Sequence, residues 1–90
     1  MSTYRIENCA GSAESARRAE LGGAYRVELC AGLPEGGTTP SYGEILTARR
    51  AISIKLNVII RPRSGDFLYT PIEVEAMLAD IRMARELGAD

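Results

Sequence analysis

The chain contains no histidine and no tryptophan, and only one phenylalanine and one lysine (Lys55) among its 90 residues. Without imidazole it lacks the commonest metal ligand and the side chain that ordinarily titrates near neutral pH, so any soft-metal site must rest on sulfur. Cysteine is scarce too. Two cysteines, with no basic-then-apolar signal segment ahead of them, read as thiols of a cytoplasmic protein rather than as a disulfide framework. No run approaches the roughly 18 apolar residues of a membrane span. Neither sign of charge dominates: 11 basic against 12 acidic side chains leave a formal charge of -1, which removes the whole-chain field that draws proteins to nucleic acid or anionic lipid. Linkers and low-complexity tracts are absent as well.

What is present matches a small globular domain. The composition is 46% hydrophobic and 26% charged, close to the soluble average, and the length allows one domain at most. A chain of this size buries only about 60 to 65% of its unfolded surface, so its stability is modest. Ten of the basic residues are arginines, planar bidentate donors suited to carboxylate or phosphate partners.

An internal repeat organises the first third. YRIENCAG at residues 4 to 11 returns as YRVELCAG at residues 25 to 32, with six identities in eight positions and a spacing of twenty-one. Each copy has the apolar, β-branched character of a short strand and ends in small residues. Between them, Ser12 is placed to cap a helix, Glu14 and Arg18 have the favourable i, i+4 order, and Gly22 and Gly23 stop it. Residues 4 to 30 therefore read as βαβ with parallel strands. Thr39 and Pro40 suit the N-cap and first position of a second helix whose apolar face includes Tyr42, Ile45, Leu46 and Ile52. KLNVII, residues 55 to 60, has strand length and ends at Arg61 and Pro62. Thr70, Pro71 and Glu73 form a capping box for a third helix, with Val74, Met77, Leu78, Ile81 and Ala84 as its apolar stripe and Gly88 as its stop. The order is βαβαβα and the class α/β.

Alternation along the strands separates two faces. Tyr25, Val27 and Leu29 suit a face covered by helices, while Arg26, Glu28 and Cys30 point the other way, as Arg5, Glu7 and Cys9 do in the first copy. Charges on both faces of a doubly wound sheet are costly, whereas the inner face of a TIM (β/α)8 barrel leads to the site at its C-terminal mouth. The pattern favours the first three units of such a barrel, with Glu7, Glu28 and Arg61 balancing charge inside it.

ENC, RVELCAGLPEGGTTPS and IIRPRSGDFLY, followed by a helix ending in ARELGAD, closely resemble the N-terminal region of the CutC copper-homeostasis proteins across essentially all 90 residues. Ser64 departs from the pattern, standing where the family usually has the first glycine of a pair. The resemblance implies a TIM barrel, a cytoplasmic location and copper as the bound ion, with Cys9 and Cys30 as metal ligands.

Two soft thiolates suit Cu(I), which accepts few ligands, whereas a closed zinc site wants four; alternatively, both cysteines simply pack as small hydrophobes. Arg61, Arg63 and Asp66 follow the third strand, where they either bind an anionic ligand or pair internally. On the ligand reading the chain is an enzyme acting on a small anionic metabolite, with Glu7, Glu28 and Arg61 as catalytic candidates. The EGGTTPS loop lacks the spacing of a phosphate loop and reads as a tight turn. Finally, a barrel of about 250 residues averages roughly 31 per unit, so 90 residues hold about three of eight units. Residues 1–90 are thus expected to be one partial domain, an N-terminal fragment that self-associates through open strand edges or needs the remaining units.

Overall fold

The computed structural model describes residues 4–90. Three short parallel strands, β1 (Glu7–Ala10), β2 (Arg26–Leu29) and β3 (Lys55–Val58), form a sheet in the order β1-β2-β3. They alternate with α1 (Ala13–Leu21), α2 (Tyr42–Ala51) and α3 (Pro71–Glu86), and a single 3-10 turn, Leu33–Glu35, follows β2. The sheet is open, as expected for the first units of an incomplete (β/α) barrel-like arrangement.

The core lies on one side of the sheet only. Ala10, Val27, Leu29 and Leu56 meet Ala16 and Ala19 of α1 and Ile45 and Ala48 of α2 in one buried cluster. The small residues on α1 let that helix approach the strands closely. The opposite face carries Glu7, Cys9, Arg26, Glu28, Lys55 and Asn57; all are exposed or half-buried, and hydration keeps their charges affordable.

Local chemistry sets the helix boundaries. Ser12 accepts the Ser15 N–H and Thr70 makes the full capping box with Glu73, both as the sequence predicts. On α2 the N-cap is Ser41, not Thr39. Thr39 is drawn away by the segment after β3: its N–H and hydroxyl both donate to the Arg61 carbonyl, and its Oγ1 accepts the Arg61 N–H at 2.8 Å. Carboxylates then tie the elements together. Glu44 of α2 accepts the Ala13 N–H at the start of α1, and Glu20 at the end of α1 accepts the N–H groups of Ser53 and Ile54 before β3.

The third helix is where packing and pattern part company. Of its expected apolar stripe only Ala84 is buried; Val74, Leu78 and Ile81 stay about half exposed. The helix packs on the core through Met83, Ala84 and Leu87, and Ile81 and Ala84 of its stripe line an open cavity with Val58 and Ile60. The β3 edge is itself partly occupied. The Leu56 carbonyl accepts the Asp90 N–H and the Leu56 N–H donates to the Asp90 carboxylate, which Arg49 holds in place.

Candidate functional site at the C-terminal end of the sheet

Both thiols lie at the strand ends that would form a barrel mouth, but they are not direct neighbours. The register pairs Glu7 with Arg26 and Cys9 with Glu28, an offset of nineteen residues, whereas the repeated sequence is spaced by twenty-one. Cys30 therefore sits two residues further along its strand than the position opposite Cys9. With roughly 3.3 Å per residue and about 4.8 Å between strands, the two Cα atoms are on the order of 8 Å apart. That exceeds the roughly 7 Å reach of a disulfide, and both cysteines are free. The sulfurs share one face of the sheet, one pleat apart.

Their surroundings differ. Cys9 is exposed and Cys30 is buried. The loop after β2 folds over Cys30: Gly37, at φ +92, lies so close that a Cβ there would meet the Cys30 Sγ at 3.6 Å and the Ile59 side chain at 3.4 Å. The Cys30 thiol donates to the Glu28 carboxylate, with Sγ 3.5 Å from Oε1. Burial first, then this bond and the Glu28 charge, with a further contribution from Cys9, push the Cys30 thiol up to about 11. The folded chain keeps this proton at a pH where the unfolded chain has lost it. The associated stability is therefore fully present below the ordinary thiol value and is lost as pH rises toward 11, by about 3 kcal/mol. Urea unfolding at both ends of this range should show a steeper alkaline decline for the native chain than for Cys30→Ala, and equal declines would refute this assignment.

The expected cluster of Glu7, Glu28 and Arg61 does not form. Glu7 pairs with Arg26, its register partner, and Glu28 accepts the hydrogen bond of the Cys30 thiol. Arg61 turns instead to the loops, where backbone carbonyls outcompete distant carboxylates. Its guanidinium donates to the carbonyls of Glu35, Gly37 and Gly65, each at 3.0 Å, and stacks over Phe67. Gly36 suits the same arrangement, since its φ of +91 favours glycine and a Cβ there would press on the Arg61 Nη1 at 3.0 Å.

Arg63 is equally engaged. It pairs with Glu73 and Asp66, donates to the Ser64, Asp66 and Leu68 carbonyls, and stacks over Tyr69. The Glu73 carboxyl is held below its usual range by the Thr70 N–H first and by Arg63 next. Asp66 also accepts the Leu68 N–H. These residues build two ordered loops above the strand ends. The EGGTTPS segment is a tight turn, closed by the antiparallel bridge between Ala31 and Thr38.

Gly37 and Thr39 are the site-shaping residues that sequence reasoning passed over. The paired glycines signalled a turn, but not that its backbone would cover a thiol. Among the described residues no group of three or more cysteine, aspartate or glutamate side chains could hold a metal. No described helix is long and apolar enough to cross a membrane.

The CutC family profile matches residues 4–90. A CutC family protein of Bacteroides thetaiotaomicron is 67% identical over the whole chain, which spans 36% of that relative. The human copper homeostasis protein cutC homolog is 54% identical over 97% of the chain and is spanned to 32%. The crystal structure of a putative copper homeostasis protein CutC from Streptococcus agalactiae superposes with a TM-score of 0.88 at 40% identity, covering 97% of this chain and 43% of its own. The chain thus spans about a third of the length of these curated relatives, and it belongs to the CutC family.

Proposed function

We propose that the chain acts in copper homeostasis by supplying Cys9 and Cys30 as the two thiolate ligands of a Cu(I) ion. The observation that carries this reading is the stagger. Two sulfurs on one face of adjacent strands, one pleat apart, are too distant to oxidise into a disulfide without backbone movement, yet they lie on the same side of the sheet. Cu(I) is soft and accepts low coordination numbers, so two thiolates suffice. The human and streptococcal relatives carry copper homeostasis in their names, which supports the same cargo. In the metal-free state the protonated Cys30 thiol donates a hydrogen bond to Glu28, and Gly37 covers the site on the loop side.

Arg63 and Asp66 are engaged by carboxylates, carbonyls and a ring of the chain, and Arg61 by carbonyls and a ring, while the Arg61 Nε stays buried without a partner. Their part is to hold the loops over the strand ends.

Anaerobic titration against a chromophoric Cu(I) chelator tests the proposal. One Cu(I) per chain is expected, with at least about a hundredfold loss of affinity in Cys9→Ala and in Cys30→Ala alike, since two-coordination needs both sulfurs. The Cys30 proton must leave on binding, so affinity should also rise about tenfold per pH unit through neutrality on its account. Unchanged affinity in the folded double variant would end the copper reading.

A further inference from the structure

The loop after β2 touches the segments that follow all three strands. It leaves β2 at Cys30, turns through Gly32 to Gly37 and closes at the bridge between Ala31 and Thr38, where each N–H donates to the other's carbonyl at 2.8 Å. On the β1 side its hold is slight: Leu33 lies against Gly11, which has no side chain to displace it, and stays 45% exposed. Over β2, Gly37 rests on Cys30, which is 3% exposed. On the β3 side the hold is polar. The Arg61 guanidinium donates from Nη1 to the Glu35 and Gly37 carbonyls and from Nη2 to the Gly65 carbonyl, so one cation joins this loop to the loop after β3. Both strands adjacent to β2 belong to the chain, so the cover on Cys30 is built and flanked by described elements alone.

Two features make this cover movable. Gly32, Gly36 and Gly37 have φ of +54, +91 and +92, and glycine passes between positive and negative φ without a Cβ penalty, which suits a hinge. The closed arrangement also buries the Arg61 Nε without a partner, and that cost falls on the closed form. We propose that residues 32–37 form a cover over Cys30 latched by Arg61, and that local opening of this cover sets the rate at which the Cys30 sulfur becomes accessible. Arg61 is then a positioning residue, acting on the thiol through the Gly37 carbonyl that it holds. For copper, where the inference rests on the reading above, the latch governs how fast the second sulfur is offered to the ion.

Thiol labelling of a Cys9→Ser chain, in which Cys30 is the only sulfhydryl, tests the latch without any metal. With a small disulfide reagent at fixed pH, Cys30 should react at least about a hundredfold more slowly than in the urea-unfolded chain. Its rate should change little with urea below the unfolding transition, because only a local opening is required. Arg61→Ala should raise this urea-insensitive rate about tenfold or more. Arg61→Lys should raise it less, since an ammonium still reaches a carbonyl but cannot clamp both loops. Labelling as fast as in the unfolded chain would overturn the proposal. So would labelling that climbs with urea as steeply as global unfolding does, or an unchanged rate in both Arg61 variants. A chain that shows the Arg61 effect yet binds no Cu(I) keeps the latch and loses only the copper reading.

Discussion

Leu29→Ala is expected to remove about half or more of the chain's folding stability. Leu29 is fully buried at the centre of the sheet, with Ala10 and Val58 as its cross-strand neighbours. The largest fully buried side chains are Leu29, Ile45, Leu56 and Val27, so this change removes one of four principal contributors to the contact between sheet and helices. A buried leucine cut to alanine costs about 2 to 5 kcal/mol, while a chain of this length has roughly 5 to 13 kcal/mol in total. With only one face of the sheet covered, the lower end of that range applies. Urea unfolding followed by far-UV circular dichroism measures the loss. Ile81→Ala provides the contrast, since its side chain is half exposed and should cost less than about 1 kcal/mol. A Leu29→Ala variant as stable as that one would show that the core does not rest on these side chains.

Arg49→Ala should destabilise by about 2 to 4 kcal/mol, an unusual loss for a side chain on a helix surface. Its guanidinium donates to the carbonyls of Ile52, Ile54 and Gly88 and to the Asp90 carboxylate. One planar cation thereby joins the end of α2, the entry to β3 and the segment after α3. Arg49→Lys should recover little, because an ammonium on a flexible stem cannot serve four acceptors spread around a fork. Amide hydrogen exchange gives the local readout: protection at Leu56, whose N–H is bonded to Asp90, should fall in both variants. Full rescue by lysine would mean that charge alone, and not the fork, holds the junction.

The parts legible in the sequence were those written in local chemistry. The Thr70 capping box, the Ser12 cap, the strand runs and the opposite faces of β2 follow from residue types within a few positions of one another. The repeat disclosed the βαβ unit for the same reason. What escaped was long-range. Thr39 has every local qualification for an N-cap, yet its hydroxyl lies beside the β3 end, and Arg61 takes it. The stripe on α3 has the correct period, but periodicity states only that one face is apolar, not that another element of the chain covers it. Arg61 and Arg63 looked available for a ligand because their partners are mostly backbone carbonyls, and carbonyls carry no signature in a sequence. The two cysteines were found readily, whereas their separation depends on a strand register that no local pattern encodes.

That register also changes what a duplicated peptide is worth. Had the two copies of the repeat paired position for position, Cys9 and Cys30 would share one height above the sheet and one degree of shelter. The two-residue slip lifts the second copy under the Gly37 loop and leaves the first in solvent, so near-identical strings yield an open thiol and a sheltered one. Unequal access to solvent is thus built into a tandem repeat by shear alone, with no difference between the two cysteines themselves.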